Sequence, residues 1–331
     1  MTESKASEES RKKDLRTSLL ASGIPLEMAV YDSLVSNLDA DWIEPEYDFT
    51  AIDETGVVKQ RSVDFVASVQ TVRDALDLEA IQFYVLTECK YSNPNERVWL
   101  FMPDAFPRTG TTSDDWRPAL WQDRAPREPL DAERIERTVS QGPSRHHAVD
   151  GVPRCVRGAV LGDKDGKKLP SLASAIYQLR DCLHHLAIER FRLFTKQWSK
   201  PAALIFVPIV VTNAQLQVLN PGTCHEIMNS PEDKLIGLTD VATTCQRILV
   251  RCPAGLDKVD WNWQRFQSAH GAYDLSRIEK GLPFYKRERT VEAHLRNFFT
   301  TAPSYVVVVQ LEELPKLLAE VVTWAKSLEF E

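Results

Sequence analysis

An α/β fold, a mixed central sheet flanked by helices, follows from three features of the sequence. Residues 81–87 (IQFYVLT) and 202–211 are largely apolar runs of strand length, and the second is apolar on both faces, as a central strand covered by helices would be. Between them, Leu172, Ile176, Leu179, Leu183, Leu186, Ile188 and Phe191 recur at helical spacing over residues 169–198. The first apolar run continues directly into Glu88, Cys89 and Lys90, so a buried strand delivers two charged side chains at its end. Because side chains alternate along a strand, Glu88 and Lys90 share one side and Cys89 points to the other.

Residues 1–16 are charged and poor in apolar side chains, the composition of a disordered tail, and residues 17–331 read as one elaborated domain. A first helix opens at Gly23-Ile24-Pro25, with Pro25 suited to the first helical position. Leu26, Ala29, Val30, Leu34 and Leu38 give it one apolar face, and Glu27 lies in its first turn. Residues 42–49 and 57–66 are strands joined by the turn Asp53-Glu54-Thr55-Gly56. Glu44, Glu46 and Asp48 alternate along the first of them, as on a solvated face, whereas Asp64 in the second stands among Val63, Phe65 and Val66. With residues 97–102 (RVWLFM) as a further strand, the stretch reads as an antiparallel run of four.

An acid within one strand and Glu-x-Lys closing the next resembles the PD-(D/E)XK phosphodiesterase superfamily, the fold of restriction endonucleases and Holliday junction resolvases. Val63 stands where the name's Pro would be. The resemblance implies a restriction-endonuclease-like core and a Mg²⁺- or Mn²⁺-dependent nuclease, endonuclease or exonuclease. Asp64 and Glu88 would hold the metal, and Lys90 would complete the catalytic set. An acid from the first helix often joins that metal shell, which points to Glu27, and a helical Gln often approaches it, which makes Gln178 an auxiliary candidate. The implied partner is nucleic acid, with DNA favoured, in bacterial defence or DNA repair. The alternative is a catalytically silent protein of the same fold that serves as an interaction or assembly module.

Charge bears on both readings. The net charge is −7, and residues 1–100 hold 10 Lys and Arg against 19 Asp and Glu, so acid concentrates around the proposed metal site. Such a surface attracts cations and repels phosphate, which argues against tight sequence-independent DNA binding by this chain alone. A protein partner or a homo-oligomer would supply affinity, or local basic patches would. No run approaches the ~18–20 apolar residues of a membrane span, and the N-terminus lacks a signal-like apolar core, so a cytoplasmic location is expected. The six cysteines include no C-x-x-C pair, against a zinc site or a disulfide framework; Cys89 is expected to pack in the core.

Residues 103–170 lose all periodicity and read as a long irregular insertion. Arg117, Arg124, Arg127, Arg145, Arg154 and Arg157, with His146 and His147, suit either a phosphate-contacting surface or a solvated lid. On the long helix, Arg180, Asp181 and the pair His184-His185 fall off the apolar stripe and are expected at its polar surface. Pro208 within residues 202–211 implies a bulge or a local edge. Trp261, Trp263, Phe266, Tyr273, Phe284 and Tyr285, followed by Lys286-Arg287-Glu288-Arg289, fit loop packing better than a platform for an unpaired strand. Residues 304–311 and 315–328 close the chain as a buried strand and an amphipathic helix.

Overall fold

A computed structural model describes residues 18–19, 22–53, 55–72, 80–92, 98–104, 119–121, 152–161, 170–197, 202–223, 229, 241–269, 292, 296, 298–300, 302–303 and 305–327. The tail 1–16, most of the insertion 103–170, and the aromatic and basic positions from Tyr273 to Arg289 lie outside the described residues. So do Arg117, Arg124, Arg127, Arg145, His146 and His147.

The chain runs α1 (Ile24–Asn37), β1 (Trp42–Ile52), β2 (Val58–Val72), β3 (Ala80–Lys90), β4 (Val98–Pro103), β5 (Ala119–Trp121) and β6 (Arg154–Leu161). There follow α2 (Pro170–Gln197), β7 (Ala202–Thr212), β8 (Gln215–Leu219), β9 (Ala242–Cys245), β10 (Arg247–Arg251), α3 (residues 259–269), β11 (Tyr305–Gln310) and α4 (Leu314–Ser327). Ten strands form one mixed sheet in the order β1-β2-β3-β7-β11-β10-β6-β4-β8-β9, and β5 pairs with β7 off this path. No helix among the described residues is long and apolar enough to cross a membrane.

The β1–β2 hairpin closes as its turn residues dictate. Asp53 Oδ1 accepts the Thr55 and Val57 backbone N–H groups at 2.8 and 3.0 Å, and Gly56 supplies a φ of 82°. β3 then pairs β2 antiparallel and β7 parallel, Ala80 opposite Ala202 through to Lys90 opposite Thr212. This corrects the expected run of four antiparallel strands. The long parallel ladder with β7 takes up the open edge of β3, and β4 pairs instead with β6 and β8 across the sheet. Residues 154–161, expected as irregular insertion, are β6, inserted between β4 and β10 with Cys155 fully buried.

Pro208 introduces no bulge. The β3–β7 register runs through it unshifted, and on its other edge β7 pairs β5 at residues 202–204 and β11 at 209–212. Pro208 falls between those two partners, where a missing N–H donor breaks no ladder.

Two apolar layers hold the sheet. On one face α2 packs over β1, β2, β3 and β7, and the apolar layer it joins continues from Phe49, Val63 and Leu86 to Trp99, Leu216, Ile248 and Val308. On the opposite face, Leu26, Val30 and Leu34 of α1 and Leu314, Leu317, Leu318 and Val321 of α4 cover Phe65, Val85, Val207 and Val307. The polar surface expected on α2 is covered by other segments of the chain. Arg180, Asp181 and His184 are buried, enclosed in part by α3 and the segment at Pro253.

Candidate active site

The site is a row across neighbouring strands. The β2–β3 ladder ends at Phe65 opposite Thr87, so one step further Asp64 stands against Glu88. On β1, the pairs Pro45–Phe65 and Tyr47–Val63 bracket Glu46 and Asp64 in the same row. Alternation breaks on β2 at this point: Val63 and Val66 both pack under α2, while Phe65 packs under α1. The irregularity brings the Asp64 carboxylate to the end of β3, where Oδ2 accepts the Cys89 backbone N–H at 2.5 Å.

Glu88 and Lys90 share a side of β3, and Lys90 Nζ donates to Glu88 Oε1 at 2.6 Å. Cys89 packs against the apolar layer on the other face. Burial, reinforced by Asp64, Glu27 and Glu88, pushes the Cys89 thiol far up, which disfavours the thiolate. Glu88 is 2% exposed, and its second oxygen, Oε2, is buried without a hydrogen-bond partner. Burial and the neighbouring Asp64 charge raise its pKa to about 7, against the pull of Lys90. Asp64 is also raised, chiefly by burial, with the Cys89 N–H and Lys90 opposing.

Glu27, in the first turn of α1, is close enough to feel this centre. Its pKa is raised by partial burial, then by Asp64 and Glu46, and lowered by Lys90. It does not complete a ready-made metal shell with Asp64 and Glu88. Among the described residues, no three or more His, Cys, Asp or Glu side chains converge closely enough to hold a metal ion by themselves. Gln178 donates from Nε2 to the Ser62 carbonyl at 3.2 Å, two residues before Asp64, and accepts from Ser174. Its amide is thus engaged with the β2 backbone.

Glu46 is the residue that sequence reasoning missed. It reads as one of three alternating surface acids, yet it has a φ of 50° and adds its charge to Asp64 and Glu27. A run of alternating acids carries no trace of a local backbone departure, so only pairing register exposes it.

Arg154 and Arg157, the described members of the basic insertion, serve elsewhere. Arg154 lies over the Tyr305 ring, and Arg157 reaches Met102. Trp263 and Phe266 stack at 6.0 Å in the layer under α2, as packing residues do.

No family model matches the chain, and neither the curated proteins nor the solved structures include a match.

Proposed function

We propose that this chain is a divalent-metal-dependent nuclease of the PD-(D/E)XK type, hydrolysing nucleic-acid phosphodiesters with Asp64, Glu88 and Lys90. The observation that carries the reading is Glu88 Oε2, a carboxylate oxygen buried without a partner beside a second carboxylate. An unpartnered buried oxygen is costly unless something not yet bound completes it. Two close acids opposed by one ammonium leave local negative charge for a cation to neutralise. Mg²⁺ characteristically binds through one or two carboxylates and fills its other positions with water and phosphate oxygens, so Asp64 and Glu88 suit it without a third acid. The order helix, three antiparallel strands, helix, parallel strand, interrupted by β4, β5 and β6 before the second helix, also supports a restriction-endonuclease-like core.

A bound divalent cation would supply Lewis-acid polarisation of the phosphodiester and acidify a bound water. The chain's own residues do the rest. The Cys89 N–H fixes Asp64 through Oδ2, and the Cys89 thiol also hydrogen-bonds that carboxylate, so its position is held before any ligand arrives. Glu88, its pKa raised to about 7, would hold a cation in its ionised form, so binding would strengthen as pH rises through neutrality. Lys90, released from Glu88, stabilises charge developing on the phosphate and orients the attacking water.

Cleavage of labelled single- and double-stranded DNA and RNA in Mg²⁺ or Mn²⁺ tests this. Glu88→Gln and Asp64→Asn are expected to lose at least a hundredfold in rate, with Lys90→Ala comparable. Full activity in Glu88→Gln would overturn the proposal.

A second reading, a silent scaffold used for assembly, has its own support. Lys90, itself partly exposed, already neutralises the deeply buried Glu88. Absence of cleavage across that panel, together with no Mn²⁺ binding, would favour it.

A further inference from the structure

The sequence promises α1 one apolar face, and the structure gives it two. Leu26, Val30, Leu34 and, just past the helix, Leu38 are buried against the sheet. On the outside, Ile24, Met28 and Val35 are 50, 63 and 55% exposed, and Tyr31, 42% exposed, stands at the edge of this face with its ring against Phe65 at 6.0 Å. Their spacing of four, three and four residues lays them along one seam, the pattern by which one helix packs against another. Four large apolar side chains in a row expose roughly 400 Å², the size at which a contiguous patch on a single chain is commonly functional.

The surroundings define what would cover it. From Thr17 to Val58 the chain has no Lys, Arg or His and nine Asp or Glu. Glu27 and Asp32 flank the seam, exposed Asp39 follows the helix, and its last turn carries no basic residue. A second copy of the chain suits this face poorly. In a parallel pair Glu27 of one copy would meet Asp32 of the other, and in an antiparallel pair each acid's flank would face the same acid's flank on the other copy. The area buried by two copies, roughly 800 Å² in total, also falls below the ~1,200 Å² of stable interfaces. Nucleic acid is repelled by the same charge.

We propose that the outer face of α1 docks a partner protein through a basic amphipathic helix, with apolar anchors seated along Ile24, Met28, Tyr31 and Val35 and Lys or Arg beside Glu27 and Asp32. At 14 residues, α1 offers about three to four turns of contact, so the partner segment is short and its affinity micromolar. The seam begins at the helix turn that holds Glu27, so the partner's positive charge lies next to the candidate active site. An acidic chain that must approach a polyanion gains there the charge it lacks. The docking itself does not depend on the proposed chemistry.

The probe is a fluorescein-labelled 16-residue helical peptide with Leu at the a and d positions and Lys or Arg at e and g. Its twin carries Glu in place of each basic residue. Anisotropy against the full 331-residue chain, at about 50 mM salt where screening is weak, is expected to give micromolar binding of the basic peptide and none of the twin. Met28→Glu and Val35→Glu, both at exposed positions and expected to melt like the parent, should weaken binding at least tenfold although each adds favourable charge. Asp32→Lys should weaken it about threefold and flatten its salt dependence. Equal binding of the two peptides, or binding unaffected by Met28→Glu, would overturn the proposal. So would a dimer in sedimentation that Met28→Glu abolishes, which assigns the face to a second copy. A tenfold gain in peptide affinity on deleting residues 1–16 would assign it to the chain's own N-terminus. None of these readouts involves cleavage, so failure here leaves the nuclease reading untouched, and the reverse holds.

Discussion

Two groups of buried ionisable side chains lie on β3 and α2, and they are finished to different degrees. On α2, Asp181 accepts Lys258 at 2.6 Å through one oxygen and Arg180 at 3.4 Å through the other. Arg180 also reaches the Pro253 carbonyl and lies over the Tyr177 ring. His184 bonds the Ala302 carbonyl through Nε2 at 2.7 Å and takes the Asn262 amide on Nδ1 at 3.1 Å. None of these side chains leaves a buried polar atom without a partner, whereas Glu88, in the row with Asp64, does. A closed network locks a fold; an open one at similar burial marks a place kept for a ligand.

The largest difference should appear when each group loses its carboxylate charge. Asp181→Asn strands two cations in the interior, and breaking such a buried pair costs about 3–5 kcal/mol. Glu88→Gln removes a charge that folding opposes, so its urea midpoint is expected to match or exceed that of the parent. Equal losses in the two variants would erase the distinction drawn between the groups.

Dependence on pH separates the groups by sign. Burial, helped by the Arg180 charge, lowers the His184 pKa from 6.5 to about 4. The unfolded chain takes up that proton first, so the His184 contribution is complete above pH ~6.5 and is lost as pH falls towards ~4, by on the order of 3 kcal/mol. Glu88 runs the other way, its pKa raised from 4.5 to about 7. Its contribution is complete below pH ~4.5 and is lost as pH rises to ~7, by a comparable amount. Stability in EDTA from pH 4 to 8 should therefore rise with pH more steeply in Glu88→Gln than in the parent. Parallel curves would mean that Glu88 does not titrate in this range.

Metal should act on the open group alone. At Mn²⁺ concentrations a hundred times Kd, an ion that binds only the folded chain stabilises it by ~2.7 kcal/mol. The parent's Tm should rise accordingly, Asp181→Asn should show the same increment from a lower baseline, and Asp64→Ala/Glu88→Ala should show none. A full shift in the double variant would place the ion elsewhere.

How far the sequence reveals each group follows from what specifies it. Strand alternation pairs Glu88 with Lys90 and turns Cys89 away, and these are local relations, readable because the period is two. Helical periodicity likewise marks the buried stripes of α1 and α2. Burial of Arg180, Asp181 and His184 depends on Lys258 and Asn262 arriving from more than seventy residues away. No local pattern encodes that. Displacement of β4 by β7 is of the same kind, since a competing strand more than a hundred residues downstream decides which edge is free.

Glu46 gives the smallest expected effect and the finest test of an open group. It is the one non-glycine residue with positive φ among the described residues, and its charge lies beside Asp64 and Glu27. Left-handed backbone costs a residue with a Cβ roughly 1 kcal/mol, and Asn bears it better than most. Glu46→Asn therefore relieves both the backbone and the crowding of acids, and should stabilise the metal-free protein by about 1 kcal/mol. If the residue serves only the hairpin, that gain should persist unchanged in Mn²⁺. If its charge helps draw a cation to Asp64 and Glu88, the gain should shrink or reverse at limiting Mn²⁺ and return when the ion saturates, because the variant's Kd is then several-fold weaker. Urea midpoints of parent and variant across a Mn²⁺ titration separate the two. Parallel curves at every concentration would confine Glu46 to a structural role and leave the cation to Asp64 and Glu88.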